Sequence, residues 1–128
     1  MRYLIDTHIL IWYANGNSKL SDKFKKEIDL PQNQIIISKA SIWEMAIKVS
    51  LGKLELGMPF GEIENYLREK EIEQLAFSFS ELQQMMKLPL HHRDPFDRLI
   101  IAQAITNNYT LITDDPMFHL YPVQLLKN

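Results

Sequence analysis

The stretch DPFDRLIIAQAITNNYTLITDD, residues 94–115, decides the fold. Asp94-Pro95 predicts the start of a helix that runs through Thr106, because aspartate caps helices and proline fits their first turn. The segment from Thr110 to Thr113 is short and apolar and predicts a strand. Asp114-Asp115 follows that strand directly. A helix that leads at once into a buried strand is typical of an α/β domain.

The same alternation of helices and strands extends over the whole chain. Further strands are predicted at Tyr3–Ile5, Ile35–Ile37 and Ile72–Phe77, and a last short strand at Pro122–Leu126 stays an open alternative. Further helices are predicted at Thr7–Ala14, Ser21–Ile28, Ser38–Leu51, Pro59–Lys70 and Ser80–Met86. Strands that are apolar on both faces indicate a parallel sheet covered by helices. We therefore expect an α/β/α sandwich with a central, mainly parallel four- to five-stranded sheet.

Length and composition set bounds on this expectation. The chain has 128 residues, of which 46% are apolar and 23% charged, which is ordinary for a globular protein. It contains no repeat and no linker, so residues 1–128 are expected to form a single domain. No apolar run approaches the length of a membrane span, and the charge at Asp6 comes too early for a secretion signal. We expect a cytoplasmic protein.

Charge and cysteine content exclude some kinds of site. The chain has no cysteine, which rules out disulfides and thiolate metal sites. Its formal net charge is −2, whereas proteins that bind nucleic acid by charge alone are usually clearly basic. The charge therefore argues against a simple nucleic-acid binder. It does not argue against a metal-dependent nuclease, whose negative charge would be concentrated around a cation.

Acidic side chains recur at the predicted strand ends. Asp6 directly follows the first strand, and Asp115, with Asp114 beside it, follows the fourth. Asp97 lies in the first turn of the helix that Asp94 opens. Ligands of open parallel sheets bind at the carboxyl ends of the strands, so these acids are expected to meet there.

Glu44 is the least expected acid, because it lies mid-helix between apolar neighbours. An unpaired charge at such a position would be costly to bury. We therefore expect a cation nearby or a position at an edge.

Each acid also has a structural explanation. Asp94 is best explained as a helix cap alone, and Asp97 could equally be its capping partner. Asp115 could cap a turn, and Glu44 could pair with Lys48 one helical turn away. The convergence of acids from separate segments favours a metal site, since without a cation they would repel one another. Carboxylate ligands suit Mg²⁺ or Mn²⁺. Such a site suits attack of water on a phosphodiester.

The motifs resemble those of the PIN-domain ribonucleases, and within them the VapC toxins of bacterial toxin–antitoxin pairs. The resemblance covers essentially the whole chain in the correct order. The matching segments are YLIDTH at residues 3–8, Ile37-Ser38 with Trp43-Glu44, HRDPFDR at 92–98 with LIIAQA at 99–104, and LITDD at 111–115 followed by Phe118.

The resemblance implies a ligand set. Carried over residue by residue, the four acids of the family match Asp6, Glu44, Asp97 and Asp115, and two supporting hydroxyl residues match Thr7 and Thr113. Asp114 is an alternative to Asp115, which is favoured because its spacing to Phe118 matches the family pattern. The resemblance further implies a metal-dependent endoribonuclease, a homodimer and a cognate antitoxin protein.

Two other functions compete with a nuclease. A phosphotransfer domain also places aspartates at strand ends, but residues 6–8 lack the second aspartate of the phosphatase type. No lysine follows a strand in the position that the receiver type requires. A catalytically silent PIN-like RNA-binding or scaffold module is the second alternative. The complete acid set argues against it.

The remaining polar and aromatic residues have expected roles outside the ligand set. Arg98 is expected to contact RNA phosphates, whereas His91 and His92 are expected to belong to a solvated loop. His8 is expected to serve the core or to face solvent. Packing in the core or an interface is expected for the large apolar side chains Trp12, Trp43, Met45, Phe77, Phe79, Met85 and Met86.

Overall fold

The computed structural model describes all residues from 1 to 128 and is built around a four-stranded parallel sheet. The strands are β1 (Arg2–Ile5), β2 (Gln34–Ser38), β3 (Glu73–Leu75) and β4 (Thr110–Ile112), in the order β3-β2-β1-β4. All three pairings are parallel, and Leu4 of β1 lies between Ile36 of β2 and Leu111 of β4. The predicted α/β class is confirmed.

Helices cover both faces of this sheet. They are α1 (Thr7–Asn15), α2 (Asp22–Asp29), α3 (Lys39–Ser50), α4 (Phe60–Glu69), α5 (Phe79–Lys87) and α6 (Pro95–Asn107), with a 3₁₀ helix at Pro116–Leu120. Successive side chains of a strand point to opposite faces. Tyr3 and Ile5 accordingly pack in one core with side chains of α1 to α4, whereas Leu4 packs in a second core with α5 and α6. The molecule is the predicted α/β/α sandwich, and none of its helices is long and apolar enough to cross a membrane.

The end of the chain departs from the predicted fifth strand. Only Leu125 forms a bridge to β4, opposite Leu111. Proline has no N–H group, so Pro122 donates no hydrogen bond to the ladder. The N–H of Val123 turns back to the carbonyl oxygen of Tyr121 at 2.9 Å. The sheet therefore has four strands and one additional bridge.

The third strand and the helix after it also differ from their predicted bounds. β3 spans three residues, Glu73–Leu75. It starts one residue later than predicted, because the N–H of Ile72 still caps α4 by donating to the carbonyl oxygen of Leu67 at 2.8 Å. α5 begins earlier than predicted, because Ser78 and Glu81 form a reciprocal capping box. The Ser-x-x-Glu spacing at 78–81 is the sequence signal for that start.

The strand order creates one crevice. β1 has β2 on one side and β4 on the other. The strand order therefore reverses between β1 and β4, although the two strands are parallel. Loops diverge at such a point and leave space at the carboxyl ends of the strands. Asp6 follows β1 at this point and residues 113–115 follow β4.

Candidate metal centre

Asp6 is buried, and both of its carboxylate oxygens are engaged. It caps α1 by accepting the N–H of Ile9 on Oδ1 at 2.9 Å, and its Oδ2 accepts the hydroxyl of Thr113. The residue is only 4% exposed. Burial raises the pKa of Asp6 to about 6, although these hydrogen bonds act in the opposite direction. Its negative charge is therefore costly unless a cation lies nearby.

Glu44 is also buried and is held by α1 and by its own helix. Its Oε1 accepts the hydroxyl of Thr7 at 2.7 Å, and its Oε2 accepts Lys48 Nζ at 2.6 Å. The Thr7 oxygen lies 2.9 Å from Ser41 Oγ. A hydroxyl has one proton, so Thr7 donates to the carboxylate and Ser41 donates to Thr7. The hydrogen bond to Glu44 raises the pKa of Lys48, which supplies the cation that burial of Glu44 was expected to require.

Asp97 lies in the first turn of α6 but does not cap it. Asp94 is the cap, since its Oδ1 accepts the N–H of Phe96 at 2.9 Å and of Asp97 at 3.2 Å. The return half of a capping box is absent, because the N–H of Asp94 donates to Nδ1 of His92 at 3.3 Å instead. The Asp97 carboxylate is therefore free to face the other acids.

The surroundings of Asp97 disfavour its charged form. Burial raises the pKa of Asp97 to about 7, and the carboxylates of Asp94 and Glu44 add to the rise. The imidazole of His92 offsets part of it. The carboxylate accepts no hydrogen bond from the chain, and no lysine or arginine pairs with it. Asp97 is the acid of this group that most needs a cation.

Asp115 and Asp114 differ in their surroundings. Asp115 caps the 3₁₀ helix through Oδ1, which accepts the N–H of Met117 at 2.9 Å, while its own N–H donates to Thr113 Oγ1 at 3.1 Å. Its Oδ2 lies 3.0 Å from His92 Nε2. Asp114 is exposed, and its side chain makes no hydrogen bond. The fixed geometry of Asp115 favours it over Asp114 as the fourth ligand.

These side chains border one open cleft. It has a volume of about 260 Å³ and is lined by Asp6, His8, Trp12, Asp97, Asp114 and Asp115. Glu44 does not line the cleft, but its negative charge contributes to the raised pKa of Asp97. Three of the four predicted ligands therefore share a cavity that is open to solvent, and the fourth lies next to it.

His92 was predicted to belong to a solvated loop, and that prediction is wrong. Its side chain is 16% exposed, and Nε2 lies 3.0 Å from Oδ2 of both Asp97 and Asp115. These three atoms lie within 4.8 Å of one another. The position of His92 depends on Tyr121, whose hydroxyl accepts the His92 backbone N–H at 2.7 Å. Nothing in the local sequence indicates that contact.

Arg98 takes a structural position rather than the predicted one at the phosphate-binding rim. Its guanidinium donates four hydrogen bonds to the backbone carbonyl oxygens of Met85, Leu88, Pro89 and His92, at 3.0–3.4 Å. These bonds connect the end of α5 and the following loop to α6. The terminal nitrogens of Arg98 are thereby occupied by the protein itself, which argues against a contact with RNA phosphates.

The aromatic and methionine side chains divide between core and surface. Met45 is fully buried, as predicted. Trp43 is 57% exposed, Phe79 86% and Met86 78%, so these three lie outside the core, and packing in an interface stays a prediction for Trp43 and Phe79. Trp43 packs edge-on against Phe96, with ring centroids 5.3 Å apart. Both aromatic side chains immediately precede a candidate ligand in the sequence.

The donor set fits a hard divalent cation. All four candidate ligands offer carboxylate oxygens, the ligand type that Mg²⁺ and Mn²⁺ take in proteins. The only full cation that is hydrogen-bonded to any of them is Lys48, on Glu44. Burial raises the pKa of both Asp6 and Asp97, so holding them as carboxylates at the cleft is costly without a cation. A bound cation would supply that neutralisation.

Comparison with known proteins identifies the family. The model of the PIN domain family matches residues 3–123. The chain belongs to the PIN domain family. No protein of curated function matches it.

Solved structures share the fold of this PIN domain over nearly its full length. VapBC2 from Rickettsia felis, bound to a DNA fragment from its promoter, is 23% identical with a TM-score of 0.74, and the match covers 98% of each chain. VapBC-1 from nontypeable Haemophilus influenzae is 20% identical with a TM-score of 0.70, covering 98% of this chain and 97% of that one. A toxin–antitoxin complex from Klebsiella pneumoniae is 22% identical with a TM-score of 0.65, covering 98% and 96%.

Proposed function

We propose that this PIN domain is a metal-dependent endoribonuclease and the toxin of a VapBC-type toxin–antitoxin pair. The observation that carries the nuclease proposal is the cleft between β1 and β4. Asp6, Asp97 and Asp115 reach it from three separate segments, and Asp97 pairs with no lysine or arginine, only with the His92 ring at 3.0 Å. A protein without a use for a cation would gain stability by losing one of these charges.

The chain's own residues divide the work around the cleft. Asp6, Glu44, Asp97 and Asp115 would hold Mg²⁺ or Mn²⁺, which supplies water activation and charge stabilisation at a phosphodiester. Thr113 orients Asp6 by donating to its Oδ2, and Thr7 orients Glu44. The open cleft admits the backbone of an RNA strand. No nucleophilic serine, cysteine or histidine is needed for such hydrolysis.

The proposed partners rest on weaker support than the metal site. The two VapBC structures and the toxin–antitoxin complex share the fold of this chain, which supports an antitoxin protein as its partner. The exposed apolar side chains of Trp43, Phe79 and Met86 are consistent with a homodimer or another protein contact. An RNA substrate and a cytoplasmic location complete the proposal.

A cleavage assay tests the nuclease proposal. Purified protein is incubated with mixed cellular RNA and Mg²⁺ or Mn²⁺, beside an EDTA control and the Asp97→Asn variant. We expect cleavage in the wild-type reaction and none in the two controls. Cleavage that persists in EDTA would exclude the metal mechanism. Stable binding of RNA without any cleavage would favour the silent RNA-binding module.

A growth assay tests the toxin proposal separately. Expression of the wild-type protein is expected to arrest bacterial growth, and expression of Asp97→Asn is not. Co-expression of a small protein encoded beside it should relieve the arrest. Normal growth despite soluble, cleavage-active protein would remove the toxin assignment and leave the nuclease.

A further inference from the structure

His92 lies at the junction of two candidate ligands, and all its polar groups are engaged. The backbone N–H donates to Tyr121, and the carbonyl oxygen accepts from Arg98 at 3.4 Å. The ring packs edge-on against buried Phe118, with centroids 5.9 Å apart. These contacts fix both the loop and the plane of the imidazole.

The two ring nitrogens of His92 face partners of different kinds, a hydrogen-bond donor at Nδ1 and carboxylate oxygens at Nε2. Nδ1 accepts the backbone N–H of Asp94 at 3.3 Å, so it carries a lone pair and no proton. In the neutral imidazole the proton must then lie on Nε2. Nε2–H is directed at Oδ2 of Asp115 at 3.0 Å and lies 3.0 Å from Oδ2 of Asp97. The helix N-terminus thereby selects the tautomer that donates into the acidic cluster.

This tautomer is the wrong one for a metal ligand. Ligation through Nε2 would move the proton to Nδ1, where it would face the N–H of Asp94 and leave two donors opposed.

The hydrogen bond from Asp94 to Nδ1 of His92 has a second effect. Because Nδ1 takes the N–H of Asp94, Asp97 is not needed as its capping acceptor.

We propose that His92 is a positioning residue, a fixed-tautomer donor that holds Asp115 beside Asp97 and keeps Asp97 free for the cation. It acts on the ligands and does not bind the ion itself. The inference rests on the proposed metal site and deepens it. It also explains the choice of Asp115 over Asp114, because only Asp115 is within reach of Nε2.

Divalent-ion affinity tests the proposal without an activity assay. Mn²⁺ is titrated calorimetrically into wild-type protein, His92→Leu, His92→Gln and His91→Leu. Loss of a hydrogen-bond partner of a metal ligand usually weakens metal binding by about 10–100-fold, and we expect a loss in that range for His92→Leu. His92→Gln retains an N–H donor and should recover part of it. His91 is exposed and makes no side-chain hydrogen bond, and its only ring contact is edge-on packing against Tyr121 at 5.3 Å, which a leucine side chain can replace. His91→Leu should therefore bind as wild type does. Unchanged or tighter binding by His92→Leu would overturn the proposal.

Nitrogen NMR of the four histidines separates a positioning residue from a ligand. We expect the Nε2–H tautomer of His92 both without metal and with Mg²⁺. Conversion to the Nδ1–H tautomer on addition of Mg²⁺ would show direct ligation and contradict the proposal.

The two proposals can fail separately. If the wild-type protein binds neither Mg²⁺ nor Mn²⁺, the proposed metal function fails. In that case the role of His92 is tested on the metal-free protein. The side-chain carboxyl ¹³C resonance of Asp115 should shift in His92→Leu and stay in place in His91→Leu. An unshifted resonance in His92→Leu would refute the positioning role.

Discussion

At the scale of single residues, three of the four candidate ligands have a structural role as well as a proposed chemical one. Asp6 caps α1, Asp115 caps the 3₁₀ helix, and Glu44 pairs with Lys48. Asp97 alone has no such role, since Asp94 takes its place as the cap of α6. Structural and functional explanations of the same acid are therefore compatible. A cap occupies one carboxylate oxygen with a backbone N–H, and in Asp6 and Asp115 the second oxygen has a side-chain partner at the cleft, Thr113 or His92.

The choice between the adjacent aspartates leads to a paired prediction. Asp115→Asn should reduce RNA cleavage by about two orders of magnitude, because a ligand is expected to matter more than the 10–100-fold of its hydrogen-bond partners. Asp114→Asn should cost no more than a few-fold, because its side chain is exposed and makes no hydrogen bond. Initial rates at saturating Mn²⁺ measure both effects. The reverse order would assign the fourth ligand to Asp114.

At the scale of the secondary-structure elements, the N-terminus of α6 separates capping from ligation. Aspartate and asparagine cap helices about equally well, whereas loss of a cap to alanine costs about 1 kcal/mol. Asp94→Ala should therefore lower the free energy of unfolding by about that amount. Asp94→Asn should keep the stability, and it also removes a charge that faces Asp97. Urea unfolding of both variants measures the difference. Equal destabilisation by both substitutions would contradict the capping role.

Arg98 connects two elements, and its removal should affect stability more than substrate binding. Arg98→Ala removes a donor from four backbone carbonyl oxygens, of which those of Met85 and Pro89 keep a second donor. We expect a loss on the order of 2 kcal/mol in the free energy of unfolding. Arg98→Lys should recover only part, because lysine cannot reproduce the planar fork of the guanidinium. Urea unfolding measures stability, and RNA affinity is measured with the Asp97→Asn background. Full stability with weakened RNA binding would restore the phosphate-binding interpretation.

Local sequence predicted the elements better than it predicted the site. The helix from Asp94-Pro95 was predictable because a cap and a first-turn proline act on their immediate neighbours. The sandwich followed from strands that are apolar on both faces. The buried position of His92 and the backbone contacts of Arg98 were not predicted, since their partners lie on other elements: Tyr121 and Asp115 for the histidine, and Met85 for the arginine. Contacts between distant segments are not encoded in a short window of sequence.

At the scale of the whole molecule, the acidic cluster links stability to pH and metal. The folded protein retains protons on Asp6 and Asp97 up to a pH of about 6 and about 7, whereas an unfolded aspartate releases its proton near 4. Between these values the folded state binds more protons than the unfolded state, so stability falls as the pH rises. A bound cation would favour the charged form of both carboxylates and so oppose both pKa shifts.

We therefore predict that the metal-free protein melts at a lower temperature at pH 8 than at pH 5. A difference on the order of 5 °C is expected for a domain of this size. Addition of Mg²⁺ at pH 8 should raise the melting temperature, and Asp97→Asn should show a smaller pH effect in the absence of metal. Thermal melts in EDTA and in Mg²⁺ measure both. A melting temperature that rises from pH 5 to pH 8 in EDTA would contradict the account of the cluster.

The central claim is that Asp6, Glu44, Asp97 and Asp115 form one divalent-ion site at the carboxyl ends of β1 and β4. Anomalous X-ray diffraction from crystals soaked in Mn²⁺ tests it directly. We expect an anomalous peak in the cleft, about 2.1 Å from carboxylate oxygens of at least two of these acids. The peak should be absent from Asp97→Asn crystals that are soaked in the same way. No peak in the cleft, or manganese held only by surface acids such as Asp22 and Asp29, would contradict the account.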